Sequence, residues 1–357
     1  MSYSLYFHVP FCVQKCGYCH FYVLPFREDS QKIYLQALKK EWDLRHHFLS
    51  QKERLISIYF GGGTPSLLGP KAIEMILSWI NPDKEVEVTL EINPETSCFH
   101  FPGINRISLG VQSFDSILLK KLTRTHTAKK AEETIDQFAS SGLQNISIDL
   151  MYDLPEQTLE SWEATLKKAS SLPISHISLY NLTIEPHTSF YQHRTTLLPQ
   201  IPPPKISAKM LKMAINQLKT FGFKQYEISA FSKSHCESRH NTGYWEGRPF
   251  LGFGPSAFSY WKGARFQNCA NLNRYIKLLD QNQLPTDFYE KLPPIEATKE
   301  ILALKLRLLK GVNSWPYRFK SIYKKLCDQG FLNPYTLNLS DRGILFHDSV
   351  GEIIMND

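Results

Sequence analysis

Apolar residues recur along the first half of the chain in short β-rich runs separated by helical patterns. Six runs stand out: Leu5–Val9, Ile56–Phe60, Val86–Ile92, Ile104–Leu109, Ile146–Leu150 and Ile177–Leu182. Between the second and third, Ile73, Ile76, Leu77 and Ile80 fall at i, i+3, i+4 and i+7, the stripe of an amphipathic helix. Ala131, Ile135 and Phe138 repeat the pattern ahead of the fifth run, and Leu159, Trp162 and Leu166 repeat it after. Tyr34, Leu38 and Trp42 step by four through the first interval. Strands alternating with helices of this length make right-handed βαβ units and a parallel sheet. Six units are too few for the usual eight-stranded barrel, which leaves a partial barrel or an open doubly wound sheet. Either architecture gathers ligands at the carboxyl ends of its strands, so the chemistry is expected just after the runs.

Past Pro199 the pattern changes. Ile201–Pro204 punctuates the chain, Met210 to Leu218 reads as a helix, and residues 240–260 are rich in glycine and aromatics without a clear period. Helices follow at about Ile295–Lys310 and Phe319–Gln329, the second stopped by Gly330, then short strands around Tyr335–Leu339 and Ile344–His347. Two helices and a hairpin suggest a small α+β, winged-helix-like module, read here as a packing element. The division expected is a core over 1–232, a Gly- and aromatic-rich segment over 233–285 and a C-terminal module over 286–357.

Composition narrows the class. Of 357 residues, 42% are apolar and 21% charged, which excludes general disorder. No segment reaches the ~18 uninterrupted apolar residues of a membrane span. The opening MSYSLYFHVPFC lacks the basic start of a signal peptide, so a cytoplasmic protein is expected. Lys+Arg exceed Asp+Glu by 41 − 34 = 7 with no block of like charge, a mixed solvated surface with no nucleic-acid partner implied. Of seven cysteines, Cys98, Cys236, Cys269 and Cys327 are scattered and read as ordinary thiols, while Cys12, Cys16 and Cys19 crowd into eight residues.

That trio follows the first run directly, and chance would supply its spacing about 0.002 times in such a chain. Two metals compete for it. Zinc wants a fourth ligand, which His8 or His20 could offer. An iron–sulfur cube accepts three thiolates and leaves one iron open to a small molecule. Gly61-Gly62-Gly63-Thr64-Pro65 follows the second run, where glycines let backbone amides approach a ligand closely. Taken alone it is as readily a tight strand–helix turn; its place at a strand end makes it a candidate site.

Tyr6-x-His8-x-Pro10-Phe11-Cys12-x3-Cys16-x-Tyr18-Cys19 together with GGGTP resembles the radical S-adenosylmethionine (SAM) superfamily, and within it the oxygen-independent coproporphyrinogen III oxidase group. The resemblance implies a partial (β/α)6 barrel. It also implies a [4Fe–4S] cluster on Cys12, Cys16 and Cys19, whose open iron is chelated by SAM on the way to a 5′-deoxyadenosyl radical. It continues through Glu91, Gln112 and Asp149, each at a strand end, and through Arg124, twelve residues after Gln112. The SAM contacts it implies are Tyr6, Tyr18, Gly62, Gly63, Thr64, Glu91, Gln112, Arg124, Asp149 and Thr183. Carboxylates suit ribose hydroxyls, and an arginine suits the SAM carboxylate.

Two departures separate the chain from the oxidases. They carry a fourth cysteine two residues after the third, where this chain has Phe21. They also carry an N-terminal extension, which the position of Tyr6 leads us to expect is missing. Both departures are shared with HemW-type heme chaperones, which bind heme and pass it to acceptor hemoproteins. Arg239-His240-Asn241-Thr242-Gly243-Tyr244-Trp245 matches their His-Asn-x-x-Tyr-Trp motif. Taken alone, a histidine beside aromatics is as a rule a satisfied core residue. The resemblance makes His240, Asn241, Tyr244 and Trp245 the heme candidates, with an imidazole for iron and aromatic faces for the macrocycle. The expected function is heme chaperoning without oxidase turnover, with heme, acceptor hemoproteins and a second copy of the chain as candidate partners. The alternatives are the oxidase itself and, more remotely, a radical SAM enzyme acting on RNA through its tail.

Overall fold

The six strands read from the sequence form, and they lie side by side in chain order. In the computed structural model, which describes residues 2–49 and 53–356, they are β1 (Ser2–Val9), β2 (Arg54–Gly62), β3 (Glu87–Ile92), β4 (Arg106–Gln112), β5 (Asn145–Tyr152) and β6 (His176–Asn181). Each pairs in parallel with the next. A doubly wound sheet reverses its strand order at a switch point; this one does not. With right-handed crossovers, a monotone order keeps the helices on one face and bends the sheet into a partial barrel.

The helices stand where the apolar stripes placed them. In α1 (Glu28–Arg45), Tyr34, Leu38 and Trp42 are buried, with Glu28 and Asp29 at the positive end of the dipole and Arg45 at the negative end. In α2 (Gly69–Ile80), Ile73, Ile76 and Leu77 are buried, and Asn81 closes the helix in the left-handed conformation, φ 48°. Between β4 and β5 lie α3 (Ser116–Lys121), capped by Asp115, and α4 (Ala128–Ser140), capped by Thr127. After β5, α5 (Leu159–Ser170) starts on a reciprocal Thr158–Ser161 capping box and buries Trp162 and Leu166. After β6, α6 (Pro204–Thr220) covers the span read as helix at 210–218.

The sheet continues beyond the barrel on both sides. Antiparallel β7 (Lys224–Glu227) and β8 (Ala230–Ser232) extend it past β6. The segment without a clear period supplies α7 (Arg239–Trp245), β9 (Phe250–Phe253), β10 (Phe258–Trp261) and β11 (Ala264–Asn268), followed by α8 (Leu272–Asp280). β9 pairs in parallel with the free side of β1. β12 (Thr286–Lys291) pairs with β11, so the last segment's own core begins with α9 (Pro294–Lys305) rather than at residue 286.

The tail folds differently from the expected helix pair plus hairpin. After α10 (Lys320–Asp328), the strands expected at Tyr335–Leu339 and Ile344–His347 do not form. A single Leu332–Leu339 bridge is followed by α11 (Asp341–Leu345) and α12 (His347–Asn356). Ser340 caps α11 through Gly343 N–H, a helix-start signal that outweighs the three apolar residues Ile344, Leu345 and Phe346 in a row. The tail has its own core, including Leu302, Leu306, Phe319, Ile322, Leu326, Val350 and Ile354. It also covers the sheet edge: Ile228 N–H donates to Arg307 O at 3.0 Å, and Leu309 N–H donates to Tyr226 O at 3.0 Å. Among the described residues, no helix is long and apolar enough to cross a membrane.

Candidate functional site

At the carboxyl ends of β1–β6 lies a cavity of about 410 Å³. The cysteine loop forms one wall and is tied down by hydrogen bonds to neighbouring segments. Gly17 N–H donates to Thr123 Oγ1 at 2.8 Å, and Phe190 N–H donates to Gly17 O at 2.9 Å. Gly17 lies flat against Phe190; a Cβ there would sit 2.5 Å from the ring. Cys12, Cys16 and Cys19 are free, half-buried thiols facing the cavity. Burial, with the neighbouring cysteines adding to it, pushes Cys12 up to about 11. Three such thiols are a donor set that a cationic iron centre would deprotonate.

Of the expected SAM residues, Tyr18, Gly62, Gly63, Thr64, Glu91, Gln112, Arg124, Asp149 and Thr183 all line the same cavity. Tyr6 does not. Its hydroxyl donates to His8 Nδ1 at 3.0 Å, and its ring stacks on Tyr59 beneath the cavity floor. His8 Nε2 donates to Tyr22 O at 3.1 Å, so both ring nitrogens are engaged, and His8 does not line the cavity. His20 stays at the cavity wall, its ring tilted 34° to that of Phe21 with centroids 4.6 Å apart.

The glycine run works differently from the expectation. Its amides are spent inside the protein: Gly62 N–H on Glu91 Oε2 (3.1 Å), Gly63 N–H on Val9 O (2.8 Å) and Thr64 N–H on Phe11 O (2.7 Å). The glycines are needed for close packing. Gly62 has φ +110° over the His8 ring, and a Cβ on Gly63 would lie 2.5 Å from Phe11 O.

Two carboxyls face each other across the interior. Burial raises Glu91 to about 7 against the Tyr59 hydroxyl (2.8 Å), which holds it down, with the nearby Asp149 raising it further. Burial raises Asp149 to about 6, opposed by hydroxyls of Ser108 (3.1 Å) and Ser178. Gln112 stands at φ +67° where the β4–β5 register slips, a bulge beside the cavity. Arg124 joins several walls: Nη1 donates to Cys16 Sγ at 3.3 Å, and Nη2 to Asn93 Oδ1 at 2.9 Å and Gly110 O at 2.8 Å.

Sequence reading missed Asn93, Ser108 and Met151, all in the cavity wall. The signal was available: each lies two residues from Glu91, Gly110 or Asp149, and side chains two apart on a strand share a face. The donor set, the mutually facing carboxyls and the single arginine fit a cluster of three thiolate ligands with a SAM beside it.

The His-Asn-x-x-Tyr-Trp segment lies at the opposite end of the barrel. α7 plugs the amino ends of the strands, capped by Ser238 through Asn241 N–H, with Arg239 and His240 N–H donating to Glu87 at 3.0 and 2.9 Å. His240 is 1% exposed. Its Nδ1 meets Ser57 Oγ at 2.9 Å, its Nε2 meets Tyr244 OH at 2.8 Å, and its ring stacks on Tyr59 at 4.8 Å. Ser57 spends its own proton on Ser4, so Nδ1 donates and Nε2 accepts. Burial, then Arg248, holds this imidazole neutral, down to about 3. Trp245 lies under the Arg307 guanidinium at 4.2 Å. His240 is thus a satisfied interior histidine, outside the cavity wall that holds the cysteines.

Residues 6–169 match the family described as the Radical SAM superfamily. The chain is 32% identical to the heme chaperone HemW of Bacillus subtilis over 99% of its own length and 94% of that protein's. It is 33% identical to HemW of Lactococcus lactis over 90% and 86%. The solved structure of coproporphyrinogen III oxidase (HemN) from Escherichia coli covers 99% of this chain and 89% of its own with a TM-score of 0.85 at 21% identity, a likeness of fold.

Proposed function

Because the chain belongs to the HemW family of heme chaperones within the radical SAM superfamily, we propose that it binds heme and hands it to acceptor hemoproteins in the cytoplasm. A [4Fe–4S] cluster and SAM occupy the strand-end cavity in this reading. The observation that carries it is identity to HemW along essentially the whole chain. Phe21, at the cavity wall where the oxidases have a fourth cysteine, supports it.

Cys12, Cys16 and Cys19 hold the cluster by three corners, and when bound, the cluster and SAM supply one-electron chemistry. Glu91 and Asp149 accept hydrogen bonds from ligand hydroxyls, and Arg124 faces a carboxylate. Heme is cargo and takes His240 as a ligand. The tautomer suits that role, since Ser57 orients the ring through Nδ1 and leaves the Nε2 lone pair to Tyr244. Ligation requires the Tyr244 hydroxyl to leave Nε2, and therefore some lifting of α7.

The test is an anaerobic heme titration of the reconstituted protein beside His240→Ala, followed by Soret absorbance. Saturation near one heme per chain, weakened in the variant, is expected. Weak, unsaturable binding would overturn the chaperone reading, and anaerobic conversion of coproporphyrinogen III to protoporphyrinogen IX would replace it with the oxidase.

A further inference from the structure

Asn93 takes no part in the function described so far, yet it sits between two of the three cysteines. Its Nδ2 donates to Thr64 Oγ1 at 3.0 Å, and its Oδ1 accepts from Arg124 Nη2 at 2.9 Å. Thr64 Oγ1 in turn lies 3.6 Å from Cys12 Sγ, and Arg124 Nη1 lies 3.3 Å from Cys16 Sγ. The chain Cys12–Thr64–Asn93–Arg124–Cys16 thus runs across one wall of the cavity. Thr64 is 4% exposed, which leaves its hydroxyl proton few alternatives.

The direction of each bond matters more than its existence. The arginine can only donate, so the Asn93 oxygen must face it, and the amide NH₂ must then face Thr64. A threonine oxygen that accepts from Asn93 has its own proton left for Cys12. Arg124, held by Asn93 and by Gly110 O, has its other nitrogen left for Cys16. Asn93 touches no cysteine, but its amide polarity aims one donor at each of two sulfurs.

We propose that Asn93 is a positioning residue that sets the reduction potential of the cluster by orienting Thr64 and Arg124 as hydrogen-bond donors to the Cys12 and Cys16 thiolates. This rests on the reading of the three cysteines as cluster ligands. Donors to sulfur favour the reduced, more negative cluster. Losing them lowers the potential, while the three ligands themselves stay in place.

The experiment compares wild type, Asn93→Leu, Thr64→Val and the double variant, reconstituted anaerobically without SAM. Each is assayed for iron and sulfide and titrated electrochemically. Asn93→Leu is expected to keep its iron and sulfide while the equilibrium constant for one-electron reduction falls about tenfold, which is 59 mV. Thr64→Val is expected to fall by less, and the double variant by less than the sum of the two, because part of Asn93's effect passes through Thr64. A wild-type potential in Asn93→Leu at full iron load would overturn the proposal, as would full additivity. If Asn93→Leu does not load, Thr64→Val decides: an unshifted potential there overturns the proposal and a lowered one upholds it. Failure of the wild type to take up iron and sulfide would instead remove the cluster reading.

Discussion

Glu87 holds the helix that carries the candidate heme ligand, and replacing it isolates that restraint. Its carboxylate accepts from the first two amides of α7 at 3.0 and 2.9 Å and lies 3.9 Å from the Arg106 guanidinium. Arg106 is 2% exposed and also donates to Cys236 O at 2.9 Å. Glu87→Gln keeps the shape, removes the charge and, because the two amides use different carboxylate oxygens, turns an NH₂ toward one of them. Hydrogen bonds to a charged acceptor are roughly twice as strong as neutral ones, a difference of about 1 kcal/mol each. One bond weakened by about 1 kcal/mol and one of about 2 kcal/mol lost give about 3 kcal/mol, which raises the local opening constant of α7 by roughly 150-fold. Hydrogen exchange of a peptide over 236–247, read by mass spectrometry on the apo protein, measures this directly. Amides of β2 and β3 should keep wild-type protection. Unchanged exchange in α7 would refute the reasoning. Equal acceleration across the sheet would refute it as well, since α7 would then have no separate latch. If heme reaches His240 by lifting of α7, stopped-flow mixing should show faster heme uptake by the same variant.

Other outcomes follow from the site. Cys16→Ala should abolish the broad ~400 nm absorbance of a reconstituted thiolate-bound cluster; a full iron and sulfide load in that variant would mean the ligands are misassigned. Burial raises Glu91 from 4.5 to about 7 and Asp149 from 3.8 to about 6 in the apo protein. The stability these groups contribute is therefore whole below about pH 4 and is lost as pH rises through about 6 and 7. Apo Glu91→Gln should melt progressively higher than wild type between about pH 4.5 and pH 7.5, and a constant offset across that range would contradict the assignment. Gly63→Ala places a Cβ 2.5 Å from Phe11 O. It should cost about 1–3 kcal/mol in denaturant titrations and reduce cluster loading, and wild-type values on both would show that the loop can yield.

The strand ends were legible because chemistry and geometry share one rule there: a parallel sheet presents its ligands where its strands finish. Cys12, Thr64, Glu91, Gln112 and Asp149 could be ordered along the chain before any contact was known. Asn93, Ser108 and Met151 escaped because motif reading stops at conspicuous residues, whereas a strand repeats its inward face every second position. Tyr6 lies outside the cavity lining, and a motif fixes which residues are near a site but not which layer of side chains each joins. His240 shows the same limit. Sequence brings it beside aromatics, but only folding reveals that Ser57 and Tyr244 already occupy both nitrogens. The tail failed for another reason. A short apolar run has no period of its own, and Ser340 decided the matter.

The pairing of β1 has a consequence for the order in which the molecule can be made. β1 lies between β2 and β9, with Leu5 beside both Ile58 and Leu251. Ser57 of β2 and Glu87 of β3 also meet partners in α7. β1 therefore waits for β9, far downstream in the chain, before it is paired on both sides. Contacts so distant in sequence close slowly, because the intervening chain must lose its freedom before they reward it. Until then the nascent barrel shows an open edge next to three unmetallated thiols. Loading of the cluster, on this order of events, belongs to the end of folding rather than its beginning.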